Sequence, residues 1–486
     1  MSNVIEIKNL SVVFNTNEGR ISVIRDLSLS IGQGEVVAVV GESGCGKSVL
    51  CKTIMGLLPS SAVITGGSIE INGKNTLGMT EQKYCKIRGA DISMVFQDPM
   101  TSLDPTYSIG DQIAEAVCAH NKAISGSALK ERVLELMNEV GIDRAKERYD
   151  SYSWMLSGGM RQRCVLAMAL AKEPELLLAD EPTTALDVTV QAEILDLIKK
   201  IREKTKMAVL FITHDLGVVA RVADRAAIMY AGKIVEEGLC EEVFEDPKHP
   251  YTIGLLHSLP AFAKNGRLRS IPGVPPVLKE GFEGDAFATR NPYALKIDYF
   301  KEPPFFDVSP THKAATWLLD ERAPKVNYDL LNDDEKGSET KALHTEKILE
   351  TDDLTHYFRL GKNSYVKAVS HVSFDIYRGE VFALVGESGS GKSTLARCLL
   401  GIHSPLGGKA YYDNIDLTAK HHSRKERERL SKELQFISQD SGNALNFKMT
   451  VRDIIAEPLE IHRVYKSRAG TDEQIKKILK KVRLDE

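Results

Sequence analysis

The residues Gly41, Glu42, Ser43, Gly44, Cys45, Gly46, Lys47 and Ser48 form the pattern Gly-x-x-x-x-Gly-Lys-Ser. The pattern returns at Gly386, Glu387, Ser388, Gly389, Ser390, Gly391, Lys392 and Ser393. Glycines at this spacing let successive backbone N–H groups turn inward around an anion, and a helix starting at the lysine adds partial positive charge. The chemistry this suits is phosphate binding. Lys47 and Lys392 would reach the β- and γ-phosphates of a nucleotide, and the hydroxyls of Ser48 and Ser393 would bind Mg²⁺. A glycine-rich turn with a surface lysine is the plain alternative to one match; two matches in equivalent settings weigh against it.

Further residues could complete a reaction centre. The run LLLAD, Leu176 to Asp180, is an apolar strand ending in an acid and followed by Glu181. Held beside the loop, Asp180 could organise a Mg²⁺ shell and Glu181 could polarise an attacking water. Taken alone, it is equally an acidic turn after a strand. AVLFITHD ends in the same way at His214, which by itself reads as a hydrogen-bonded structural histidine. Ser157, Gly158 and Gly159, in LSGGMRQR, open a helical run and offer free N–H groups that suit an anion, or simply cap the helix.

The elements that must position these groups recur with them. VIRDLSLSIGQGEVVAVV precedes the first loop and VKAVSHVSFDIYRGEVFALV the second. Each reads as a strand, a glycine-containing turn and a buried apolar strand running into the loop. Helical segments follow, VLCKTIMGLL and TLARCLLGI, and then a glutamine, Gln97 or Gln439, at nearly the same distance. A duplicated domain accounts for this. Between the copies the composition turns rich in proline and aromatics, then acidic and polar. The expected organisation is a first domain at 1–245, an extension at 246–325, a linker at 326–345 and a second domain at 346–486.

Composition excludes several classes. The 486 residues allow about three average domains, and 43% hydrophobic with 27% charged residues argues against disorder or a fibrous repeat. A formal net charge of −4 gives no global basic field for nucleic acid. No run approaches the roughly 18 apolar residues of a membrane span, and MSNVIEIKNL lacks the features of a secretory signal. Cysteines 45, 51, 85, 118, 164, 240 and 398 include no Cys-x-x-Cys pair, so neither a disulfide framework nor a zinc site is suggested. A reduced, cytosolic protein is expected.

The order of aromatic, glycine loop, glutamine, Ser-Gly-Gly, Asp-Glu and histidine resembles the ATP-binding cassette (ABC) ATPases over nearly the whole chain. The resemblance implies an α/β fold: P-loop NTPase cassettes, each a mixed sheet core with a helical subdomain, in tandem. It implies that Phe14 and Phe358 stack on adenine, and that Gln97 and Gln439 sense Mg²⁺ and the attacking water. Ser157, Gly158 and Gly159 would close on the γ-phosphate held by an opposite cassette. Glu181 would be the general base, Asp187 would cross the cassette dimer interface, and His214 would contact the γ-phosphate. ATP and Mg²⁺ are the implied cofactors.

The segments DPKHPYTIGLLHSLP (Asp246 to Pro260) and IPGVPP (Ile271 to Pro276) are similar to the C-terminal extension of dipeptide and oligopeptide importer subunits. Two integral-membrane permeases, an extracytoplasmic solute-binding protein and a cassette–cassette dimer within or between chains are then the expected partners, at the cytoplasmic face of the membrane, without nucleic acid. Glutathione-like compounds or nickel complexes are alternative solutes. The competing expectations are a soluble ABC ATPase acting on ribosomes or nucleic acid, and a subunit that binds ATP without hydrolysing it. Many relatives carry four cysteines in the extension, beginning Gly-Cys-x-Phe-x-x-Arg-Cys, that can hold an iron–sulfur cluster. Here Asp285, Asn291, Tyr299 and Thr316 occupy those places, and no cluster is expected because thiolates are its ligands. The interval from Gly41 to Ser157 exceeds that from Gly386 to Glu486, so the second cassette is expected to stop before its own Ser-Gly-Gly. A fragment, a truncated gene, or two chains paired through their first domains would each account for this.

Overall fold

The computed structural model describes residues 3–17, 19–119, 124–184, 186–260, 270–326, 346–359, 364–438, 444–465, 467–482 and 484. The chain divides into two compact units, Met1–Gly337 and Ser338–Glu486. Of the expected linker only Val326 is described, and Gln439 lies outside the described residues.

In the first unit the uninterrupted apolar runs become the centre of an eight-stranded sheet. Val36–Val40 pairs in parallel with Ala208–Thr213 on one side and Arg225–Tyr230 on the other. Ala208–Thr213 pairs in parallel with Leu176–Asp180, which in turn pairs with Ile92–Val95. Runs without polar alternation suit strands covered on both faces, and every residue of VVAVV, LLLAD and AVLFIT is buried.

Alternate residues take opposite sides, as the two-residue period of a strand requires. Val37, Val39, Leu178 and Ile212 pack with the helix Lys47–Ile54 and a separate antiparallel sheet built on Asn3–Thr16, Gly19–Gly32 and Ala62–Ile71. Leu177, Ala179, Val209 and Phe211 pack with a helical layer that includes Gly158–Leu170 and Val188–Thr205. The described residues of 246–325 fold with this unit. Its two-residue strands Phe306–Asp307 and Lys313–Ala314 extend the sheet beyond Lys233–Leu239. Its Tyr251 and Phe287 are buried against Ala38, Val40 and Tyr230, at about 1.5–3 kcal/mol for a large apolar side chain taken from water.

The second unit repeats the antiparallel sheet in the same order, with Tyr365–Tyr377, Lys347–Arg359, Gly407–Tyr412 and Ile415–Asp416 side by side. The helix Lys392–Leu399 follows the second glycine loop. One expectation fails here. The run VFALV before that loop is neither a strand nor buried, with Val381 96% and Val385 87% exposed. A strand of this type needs parallel neighbours on both edges, as Val36–Val40 has. Among the described residues of the second unit no parallel strand pairs with it. No described helix is long and apolar enough to cross a membrane.

Candidate functional site

The parallel strands of the first unit all end at one edge of the sheet, where ligands of open α/β sheets collect. In spatial order, Val36–Val40 runs into Gly41, Ala208–Thr213 into His214, Leu176–Asp180 into Glu181, and Ile92–Val95 into Phe96 and Gln97. Sequence-distant residues thus become neighbours at the strand spacing of about 4.8 Å.

The loop Gly41–Ser48 closes tightly on itself. A Cβ on Gly41 would stand 2.1 Å from the Met229 carbonyl oxygen, so no other residue fits without moving backbone. Gly46, at φ 108°, turns the chain into the helix Lys47–Ile54 in a region open to glycine. Lys47 is buried and donates from Nζ to the carbonyl oxygens of Gly41 (2.8 Å) and Glu42 (3.0 Å). Ser43 and Gly44 are exposed at the loop's tip, and Cys45 is buried beneath it, its thiol pushed up in pKa by that burial.

Ser48 Oγ donates to Asp180 Oδ1 at 2.9 Å. Asp180 is 3% exposed, and its pKa is raised, first by burial and then by the adjacent Glu181, against the lowering effect of Ser48. Among the described residues no ion pair neutralises it. A hydroxyl and a carboxylate converging at a half-buried point, with Glu181 adjacent, form an oxygen donor set that fits a hard divalent cation.

Beside this pair, three side chains gather on a single atom. Glu181 Oε2 accepts from Gln97 Nε2 (3.1 Å) and Thr184 Oγ1 (2.9 Å), and lies 3.2 Å from His214 Nδ1. The Glu181 backbone sits at φ 46°, a left-handed conformation that an L-residue holds only at some cost.

Ser157, Gly158 and Gly159 belong to a different part of the unit. Ser157 Oγ caps the helix Gly158–Leu170 by accepting from Met160 N–H, and Asp187 Oδ1 caps Val188–Thr205 by accepting from Val190 N–H. The two helix starts touch, since a Cβ on Gly159 would meet Val190 Cγ1 at 2.4 Å. Phe14 is half-buried against the core shared by the two sheets. Phe358 is edge-on to His356 and His403.

The second loop has the same lysine geometry. Lys392 Nζ donates to Gly386 O (2.6 Å) and Glu387 O (2.7 Å), and Gly391 turns the chain at φ 97°. Ser388, Gly389 and Ser390 are exposed, as is Ser393. Ser48 has Asp180; for Ser393 no carboxylate partner is found among the described residues.

Sequence reasoning missed three contributors. Thr184 lies three residues after Glu181 and could have been suspected from position. Tyr251 and Arg290 could not, because nothing in the pattern around them points to the loop. Yet Glu42 N–H donates to Tyr251 Oη at 2.8 Å, and the Arg290 guanidinium grips both Glu42 carboxylate oxygens. The four places where relatives are expected to carry cysteine do local work instead. Asp285, Asn291 and Thr316 accept from backbone N–H groups two residues ahead, and Tyr299 Oη donates to Ala288 O.

Comparison with known proteins agrees with this geometry. The sequence profile of the ABC transporter family matches residues 24–184 and again 369–486, and that of the oligopeptide/dipeptide transporter C-terminal region matches 235–297. The dipeptide transport ATP-binding protein DppD of Lactococcus lactis is 54% identical over 324 residues, 66% of this chain and 93% of its own. The oligopeptide transport ATP-binding protein OppD of Mycobacterium tuberculosis is 39% identical over 469 residues, 95% of this chain and 76% of its own. The glutathione import ATP-binding protein GsiA of Shigella dysenteriae is 37% identical over 470 residues, 95% and 68%. The chain belongs to the ATP-hydrolysing ABC transporter family and carries its cassette twice, the first joined to the C-terminal region of the oligopeptide and dipeptide transporters.

Proposed function

We propose that this chain hydrolyses ATP at its first cassette to drive import of dipeptides or oligopeptides through membrane permeases. One observation carries the catalytic part: Gln97, Thr184 and His214 converge on one oxygen of Glu181, next to the Ser48–Asp180 pair. Lys47 and the loop N–H groups would bind the β- and γ-phosphates, with Phe14 near the adenine. Ser48 and Asp180, with Gln97 beside them, would hold Mg²⁺, which on binding supplies positive charge to the phosphate oxygens. Glu181 would take the proton of the water whose oxygen attacks the γ-phosphorus. The bond from that phosphorus to the β–γ bridging oxygen breaks, and ADP leaves with the electron pair. His214, close to both Glu181 and the loop edge, would hold the γ-phosphate in line, while Gln97 would report its presence.

Ser157, Gly158 and Gly159 lie apart from the Lys47 loop and would serve the nucleotide of a facing cassette, across an interface edged by Asp187. In the second cassette Lys392 and Ser393 would bind nucleotide, with Phe358 and Gln439 in the parallel roles. The peptide solute rests on the C-terminal region match and the names of the relatives. These also favour a peripheral protein at the cytoplasmic membrane face, working with permeases and a solute-binding protein, over one acting on ribosomes or nucleic acid. The test is uptake of a labelled dipeptide and a labelled pentapeptide by cells lacking this gene. Loss of uptake, restored by the wild-type gene and not by Glu181→Gln, is expected; undiminished uptake of both would contradict the proposal.

A further inference from the structure

Glu42 poses an electrostatic problem. It lies within the glycine loop, and an unpaired carboxylate there would repel the phosphates the loop is built to receive. The partner that answers it comes from the extension. Arg290 is 5% exposed, and its guanidinium donates to both Glu42 oxygens, from Nη1 at 2.6 Å and from Nη2 at 2.9 Å. The guanidinium is itself fixed, by Nε on the Pro272 carbonyl (2.7 Å) and by Nη1 on Tyr230 Oη (3.3 Å). Two parallel charge-assisted bonds of this kind set position as well as charge. The main chain of the same loop residue is held by Tyr251 Oη, and Tyr251 packs in a three-ring cluster with Tyr230 and Phe287, their ring centroids 4.6 and 5.4 Å away.

We infer that Arg290 is a positioning residue of the first nucleotide site: it neutralises Glu42 and pins the start of the phosphate loop, making the extension part of the ATP-binding apparatus. The inference rests on the proposed nucleotide site and deepens it. A purely structural anchor would hold the extension in place but would be indifferent to the charge of Glu42. The two roles therefore separate in a double variant.

The experiment titrates the full chain, carrying Lys392→Ala to silence the second loop, with a fluorescent ATP analogue and Mg²⁺. Arg290→Met is expected to weaken binding about tenfold, a loss that shrinks only in part at high salt because the unpaired like charge behind it is half-buried. Adding Glu42→Gln is expected to restore affinity to within about threefold, since no unpaired carboxylate then remains. If Arg290→Met does not fold, Arg290→Gln takes its place with the same expectations. Equal affinity in the parent and the Arg290 variant overturns the role, as does a double variant that binds no better than the single one. A parent chain that binds no nucleotide overturns the reading of the site itself.

Discussion

His214 Nδ1 stands 3.2 Å from Glu181 Oε2, although the two residues end different strands, Ala208–Thr213 and Leu176–Asp180. The carboxylate is nearly buried while the imidazole remains mostly exposed, so the histidine is open to solvent at the strand ends. His214→Ala leaves Gln97 and Thr184 on Glu181 and should keep that carboxylate in place. We expect kcat for ATP to fall about 10²-fold, with nucleotide affinity within about threefold of wild type. Steady-state kinetics alongside direct binding checks this; unchanged kcat would remove His214 from the reaction.

Gly159 gives a prediction in which two effects oppose each other. Helix propensity alone favours alanine over glycine by about 0.5–1 kcal/mol. The added Cβ, however, would meet a methyl of β-branched Val190 at 2.4 Å, and overpacking of this kind costs about 1–3 kcal/mol. The clash should win. Gly159→Ala is expected to lower the melting temperature by a few degrees, and Val190→Ala in the same chain to recover most of it. A raised melting temperature in the single variant would show that propensity dominates.

Asp285 offers a pH test. Burial, with Asp298 and Glu302 nearby, pushes its carboxyl up to about 6. The folded state then binds its proton more tightly than the unfolded chain does. Stability from this group is complete below about pH 4 and is lost as pH rises through about 6. Asp285→Asn keeps an oxygen for the Phe287 N–H and removes the buried charge. It should stabilise the protein by roughly 1–3 kcal/mol at pH 7.5 and leave it unchanged at pH 4. Denaturant titrations at the two pH values decide; equal gains at both would contradict the assignment.

Much of the candidate site was legible because its residues sit in contiguous words. Gly41–Ser48, Asp180–Glu181 and His214 each follow an apolar run, and a parallel sheet must bring the ends of such runs together. Alternation of buried residues also reads directly, as Leu177 and Leu178 show by packing on opposite faces. What was not legible depends on long-range closure. The pairing of Arg290 with Glu42 spans 248 residues and has no local signature, and the left-handed backbone of Glu181 follows from the strand end, not from its residue type. The run VFALV misled because an apolar strand is predicted from its own residues, whereas strand formation depends on neighbours.

The most direct test of the account is turnover by Glu181→Gln. The substitution keeps the size of the side chain and removes the carboxylate that would accept the water's proton. With Mg²⁺ and ATP, kcat is expected to fall at least about 10²-fold while ATP binding is retained, so that unhydrolysed ATP is recovered with the protein. Wild-type turnover in a homogeneous preparation of this variant would contradict it.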